Sequence, residues 1–261
     1  MNRTIWWVVL IVAAGAILAA LYYRSHQSSL RAVPPAAQAP APKPAPEPAI
    51  RYPIEEKPQE KPLPALNQSD PTVKDALRGL WNEKTLAQYF NLDGFVRRIV
   101  ATIDNLARPK AAQRLMPVKP VPGQFRVNAQ GSEITVSPEN AKRYASYIKP
   151  FESVDTARLV DVYVHFYPLL QQAYEELGYP NAYFNDRLIE VIDHLLAAPE
   201  MPPNAKLVQP KVLYQFADPD LERRSAGQKI MMRMGNENAG RVKAKLQEIR
   251  NELTRRRPKS Q

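Results

Sequence analysis

Residues 155–198, DTARLVDVYVHFYPLLQQAYEELGYPNAYFNDRLIEVIDHLLAA, decide the fold class of this chain. Leu159, Val162 and Tyr163, Phe166, Leu170, Ala173 and Tyr174, and Leu177 recur at spacings of three, four and seven, the period of an amphipathic helix. Asp155 is placed to cap that helix and Gly178 to end it. Pro168 removes one backbone hydrogen bond inside it, so a kink is expected there. Beyond the turn, Asn185 is placed as the cap of a second helix, Asp186–Ala198, with Leu188, Val191, Ile192, Leu195 and Leu196 on its core face. A helix–loop–helix corner of this length implies a helical domain.

The flanks extend the pattern. Upstream, Ser69 or Asp70 with Pro71 opens a helix carrying Val73, Leu77 and Leu80. A short helix follows over Glu83–Phe90, and a third over Asp93–Ala107, whose apolar face holds Phe95, Val96, Ile99, Val100, Ile103 and Leu106. Pro109 closes it, and residues 117–122 (PVKPVP) form an extended crossing. Gln124–Val127 and Glu133–Val136 are short and rich in β-branched and aromatic residues, with Asn128 and Gly131 between them; they predict a hairpin, expected to be the only sheet. Pro138 opens a helix near Glu139–Tyr147. Downstream of Pro199, Pro202 and Pro203 comes a short apolar run, Lys206–Phe216, then a last pair of helices at about 219–233 and 237–256. The expected fold is mainly α with one small β-hairpin, in a single domain over residues 66–254, followed by a basic tail, 255–261.

The N-terminal quarter is of a different kind. Ile5–Tyr23, IWWVVLIVAAGAILAALYY, has no charge, and at ~1.5 Å per residue covers about 28 Å of a ~30 Å hydrocarbon core. Trp6, Trp7, Tyr22 and Tyr23 stand where amphipathic rings favour the two interfaces. Residues 1–24 therefore read as a single-pass anchor; a cleaved signal peptide is the competing reading. Eleven prolines lie between Pro34 and Pro64, and no glycine occurs from Ala16 to Arg78. Residues 25–65 thus read as a disordered, polyproline-biased linker. Arg3 on one side and Arg24 and Arg31 on the other leave the positive-inside rule nearly balanced. A glycine-poor spacer that holds a domain away from the bilayer favours the inner (cytoplasmic) membrane with the domain in the periplasm, against a cytoplasmic tether of the same composition. With no cysteine, disulfide scaffolds, thiolate metal sites and cysteine nucleophiles are excluded.

No nucleotide-binding, P-loop, zinc-protease, nucleophile-elbow or EF-hand signature is present. The stretch SAGQK at 225–229 has neither the first glycine nor the preceding strand of a phosphate loop. Imidazole chemistry is left to His165 and His194, since His26 lies beside the apolar segment. Asp186, Glu190 and His194 follow one another at one-turn intervals, with Asp193 adjacent, and a carboxylate and an imidazole at i and i+4 can share a proton. The same spacing is that of a solvated ion pair on an amphipathic helix, with Asp186 favourable at the helix N-terminus. No third metal ligand has a recognisable spacing, so no metal or other cofactor is expected. Tyr174, Tyr179, Tyr183 and Phe184 surround this corner. Glu175 and Glu176 are expected near Arg187; Arg97 and Arg98 have Asp104 and Asn105 two turns on, and a snorkelling surface pair is expected there ahead of an inward-directed arginine bound to an aspartate.

Charge is concentrated at the end. Residues 223–261 carry twelve Lys and Arg against three Glu, and the rest of the chain is close to neutral. Val242, Leu246, Ile249 and Leu253 form the docking stripe of the last helix, which leaves Arg241, Lys243, Lys245 and Arg250 for solvent, continued by Arg255, Arg256 and Arg257. Such a patch suits an anionic envelope polymer, a lipid head group or an acidic protein. It suits nucleic acid only if the domain is cytoplasmic.

The runs LPALNQSDPTVKDAL, FVRRIVATIDNLARP, YPLLQQAYEELGYPNAYFNDRLIEVIDHLLAAPE, LVQPKVLYQFADPDLERRSAGQKIMMRMG and RVKAKLQEIR together resemble the bacterial domain-of-unknown-function (DUF) family 3014, over residues 63–253. The resemblance implies the plan already described, a membrane segment, a proline-rich spacer and one domain, and brings no reaction or site residue. The expectation is a membrane-tethered envelope protein with a non-enzymatic periplasmic binding module. The alternatives are an enzyme on cell-wall or lipid material using the Glu190/His194 corner, and a cytoplasmic membrane-tethered nucleic-acid binder.

Overall fold

The computed structural model describes residues 49–55 and 62–256. The expected anchor at 5–23, the linker through residue 48, and Arg257 with the residues after it lie outside the described residues. Among the described residues no helix is long and apolar enough to cross a membrane. The described residues belong to one compact unit.

The fold is mainly helical with a small antiparallel sheet. Helices α1 (Asp70–Arg78), α2 (Glu83–Tyr89) and α3 (Phe95–Leu106) come first. Strands β1 (Val127–Gln130) and β2 (Glu133–Val136) precede α4 (Glu139–Ser153), α5 (Thr156–His165), α6 (Tyr167–Glu176) and α7 (Phe184–Leu196). Strands β3 (Lys206–Val208) and β4 (Gln215–Phe216) then lead to α8 (Pro219–Glu222), α9 (Ala226–Arg233) and α10 (Asn236–Arg255).

Local chemistry sets most boundaries. Asn82 accepts from the Thr85 N–H at 2.9 Å to cap α2, and Asp155 accepts from Arg158 N–H at 2.8 Å to cap α5 as expected. Asp70 acts at a distance: its carboxylate accepts from the Gly94 and Phe95 N–H groups at 2.7 and 3.1 Å, capping the start of α3 from the start of α1. The long helix expected over 155–177 is two helices. Pro168 has no N–H for the Val164 carbonyl, so the chain breaks at Phe166 and restarts with Pro168 in the first turn of α6. Asn185 is not a cap. It lies inside α7, fully buried.

Helix α7 is the centre of the packing. Phe184 joins α1, α3 and α6 in one apolar cluster, Val191 and Leu195 meet α4 and α9, and Ile189 and Ile192 meet α5 and α10. A helix buried on several sides reads as a single apolar face only when its neighbours are unknown. At Gly227 the α9 backbone comes so close to α3 and α7 that a Cβ would lie 2.5 Å from Leu195 Cδ2 and 2.8 Å from the Leu106 carbonyl oxygen, which leaves room only for glycine.

The hairpin is present in the register Val127↔Val136, with its first strand at Val127–Gln130 in place of the expected 124–127, and it is only half of the sheet. The run 206–216 supplies two further strands, with Ile134 opposite Leu207 and Leu207 opposite Phe216, so the sheet has four antiparallel strands in the order β1-β2-β3-β4. Strands of three and two residues are too short for alternation to show in sequence. Val136, Leu207 and Phe216 close the sheet over Met232 of α9.

Candidate functional site

The corner between α6 and α7 gathers the polar residues singled out by their spacing, and each turns to a different partner. Asp186, in the first turn of α7, accepts from the Tyr52 N–H at 2.7 Å and from the Arg51 N–H at 2.9 Å. Beside it, Asn185 donates to the Tyr52 carbonyl at 2.8 Å and accepts from the Tyr163 hydroxyl at 3.0 Å. The Tyr183 hydroxyl accepts from Ile54 N–H at 2.9 Å. These groups hold residues 51–54, which fall inside the stretch read as linker, against the domain. Tyr52 and Ile54 pack into the flanking apolar clusters. Burial pushes the hydroxyl pKa of Tyr163 and Tyr167 well above the ordinary tyrosine value, so both stay protonated donors.

Glu190 faces Arg187 at 2.9 Å, one turn from His194. Arg187 in turn reaches Asp104 of α3, at 3.1 Å to Oδ1, and donates to the Asp104 carbonyl at 3.0 Å. Arg108 donates to the other Asp104 oxygen at 2.6 Å, as does the Tyr179 hydroxyl at 3.2 Å. The Tyr179 ring stacks on Tyr174 with centroids 4.6 Å apart. Burial opposes the Arg187 charge, but the Glu190 and Asp104 carboxylates outweigh it and hold the guanidinium above its ordinary pKa. Burial likewise lifts Tyr174 to about 12.

Asp104 is therefore a buried acceptor for two arginines, not a surface partner of Arg97 or Arg98. Arg97 pairs with Glu176, and Arg98 donates to the Asp93 and Arg114 carbonyls. Glu175 hydrogen-bonds Gln171, so neither expected carboxylate reaches Arg187. A signal for this network was present: Asp104 lies four residues from Val100 and eight from Val96, both buried, and so shares their face.

His194 points away from Glu190. Its Nε2 lies 2.8 Å from the Ser225 hydroxyl, and its carbonyl accepts from the Gln228 side chain at 3.0 Å. Ser225 Oγ also caps α9 by accepting from the Gln228 N–H. The pair opens onto a cleft of about 360 Å³ lined by Ala107, Asp220, Arg223 and Arg224. Among the described residues no group of three His, Asp or Glu side chains is disposed to hold a metal ion.

The C-terminal helix departs from expectation. Arg241, Lys243, Lys245, Arg250 and Arg256 turn onto acceptors of the domain, whereas Arg255 stays exposed beside Glu252 of its own helix. Lys245 is only 6% exposed and donates to the Val154 carbonyl, Thr156 Oγ1 and Glu248 at 3.0, 3.0 and 2.7 Å. Arg241 pairs with Glu152, Arg250 with Asp193, and Lys243 donates to the Ala198 carbonyl at 2.6 Å. Arg255 and Arg256 share Glu252, and Arg256 also meets Asp161. The reason is positional: α10 packs on α4, α5 and α7, which carry the matching carboxylates Glu152, Asp161 and Asp193. A groove of about 590 Å³ remains between the start of α5 and α10, floored by Lys245 and bordered by Asp155, Glu248, Glu252 and Arg255.

Over residues 95–250 the chain matches the family described as Protein of unknown function (DUF3014). No curated protein and no solved structure matches it.

Proposed function

Since the chain belongs to the DUF3014 family, whose members share no assigned reaction, we propose from its own features that it is a membrane-tethered cell-envelope protein whose helical domain is a non-enzymatic periplasmic binding module. One observation carries this reading. Asp186, Asn185 and Tyr183 bind the backbone of residues 51–54, the segment through which the chain passes from the proline-rich linker into the domain. The carboxylate that opens the expected catalytic row is thus engaged in fastening the tether, as suits a domain presented at the end of a spacer. Contact with an anionic envelope polymer, lipid head group or acidic protein falls to Arg255, which is 71% exposed at its side chain, and to Arg257 beyond it.

Pull-down of envelope fractions by the domain, with and without Arg255–Arg257, tests the binding role; a bare bait at low salt counts against it. Reporter fusions at the C-terminus test topology, and a cytoplasmic signal removes the periplasmic reading. The enzyme alternative keeps one specific support, the 2.8 Å His194–Ser225 contact at the mouth of a cleft. It requires Ser225→Ala to abolish a hydrolytic activity of the purified protein. The nucleic-acid alternative loses support with the inward pairing of Arg241, Lys245 and Arg250.

A further inference from the structure

The apolar run 206–216 (KLVQPKVLYQF) contributes only Leu207 and Phe216 to the core as buried residues. Its remaining aliphatics stand in solvent: Val208, which ends β3, is 44% exposed, and on the loop between β3 and β4 Val212 is 84% and Leu213 77% exposed. Single exposed apolar residues are ordinary on a protein surface. Here two adjoin on one loop beside the end of β3, and Val212 and Leu213 are the most exposed large hydrophobic side chains among the described residues. The loop is braced. Gln209 donates to the Val212 carbonyl at 3.0 Å, Arg233 donates to the Tyr214 carbonyl at 3.3 Å, and the same guanidinium lies over the Phe125 and Phe216 rings. No acidic residue occurs from Met201 to Ala217. Lys206 faces Glu133 across the sheet, whereas Lys211, at the tip, pairs with no carboxylate among the described residues.

We propose that the β3–β4 loop is a membrane-contact tip, which lowers Val212 and Leu213 into the head-group region of an anionic bilayer while Lys211 meets lipid phosphate. A projecting aliphatic pair with an adjoining lysine suits a deformable, negatively charged surface. A protein partner would need a matching hollow. Anionic lipid attracts a surface lysine, and aliphatic side chains leave water at the acyl boundary. From the proposed anchor the inference takes only that a bilayer lies within reach.

The test uses fragment 48–256, which keeps every described element of the compact unit and ends before Arg257. It is sedimented with vesicles of phosphatidylglycerol mixed with phosphatidylcholine, and with phosphatidylcholine alone. The fragment is expected to co-sediment with the anionic vesicles. Leu213→Asp and Val212→Asp should each weaken that by about tenfold, since each loses the burial of one aliphatic side chain. Lys211→Ala should weaken it about fivefold at low salt, the effect of one lysine near an anionic surface. Thermal melting should be unchanged in all three, because the side chains stand in solvent. Absence of co-sedimentation overturns the inference. So does equal binding by the double aspartate variant, which would assign the contact to the basic C-terminal helix, and so does Leu213-dependent self-association without vesicles, which would make the loop a protein surface. None of these results alters the outcome of the reporter fusions, so the loop contact and the proposed topology fail separately.

Discussion

Replacing Asp186 by alanine removes both acceptors that hold the Arg51 and Tyr52 amides. The Arg51 amide is exposed, so water replaces the carboxylate and the loss is about 1 kcal/mol. The Tyr52 amide is part-buried, and a charge-assisted bond there is worth about 2 kcal/mol. Opening of the 51–54 segment then becomes easier by about 3 kcal/mol, on the order of 100-fold in the opening equilibrium. Asp186 also sits in the first turn of α7, where loss of its charge costs the whole helix about 0.5 kcal/mol. Hydrogen exchange reads the effect. Amides of Arg51, Tyr52 and Ile54 should lose protection by about 100-fold, and the Val100 amide in α3 should share in the loss if it exchanges through global unfolding, because the same bonds are absent in the unfolded chain; amides that exchange through local openings away from residues 51–54 should keep their protection. Unchanged protection at Tyr52, or an equal loss at every locally opening amide, would refute the assignment of Asp186 as the clasp of the tether.

Gly227→Ala drives a methyl into Leu195 and the Leu106 carbonyl, and should cost about 1–3 kcal/mol; calorimetry should show a fall of about 2–4 °C in Tm for each kcal/mol. Asp104→Ala leaves the half-buried Arg187 with Glu190 alone and should destabilise by about 3 kcal/mol in urea titration, more than truncation of the exposed Glu190. Glu252 and Glu248 are held below the ordinary glutamate pKa, the first chiefly by its hydrogen bond to Arg255 and the second by that to Lys245. A lowered carboxylate pKa gives stability that is complete above the unfolded value of about 4.3 and lost as pH falls through the folded one. The urea midpoint should therefore decline below about pH 4.5, and less steeply in the Lys245→Met variant.

Much of the architecture was legible in the chain because helical periodicity and capping are local. The start of α2 at Asn82 and the apolar face of α3 follow from short-range signals in their own residues, as does the hairpin turn at Gly131, whereas the start of α3 is capped by Asp70 from another helix. The failures share a physical cause. Pro168 announced a weak point, but whether a helix bends or restarts depends on how Phe166 is packed. Strands β3 and β4 exist only because β2 offers an edge to pair with. The basic helix was read from composition, and composition has no view of Glu152, Asp161 and Asp193 on neighbouring helices.

The candidate site divides in the same way. Spacing along one helix correctly set Asp186, Glu190 and His194 at successive turns. Arg187, three residues before Glu190, was within reach of the same spacing, but that residues 51–52 and Ser225 would claim Asp186 and His194 was not, since these partners come from distant parts of the chain. By itself the sequence determined a mainly helical domain, its family, and where its charges and prolines are concentrated, because these depend on neighbours in the chain. Only the tertiary structure decided which charges are neutralised, that Asp104 is a buried hub, and that Val212 and Leu213 are left in solvent. Burial and ion pairing depend on what packs alongside, and that is set by the whole fold.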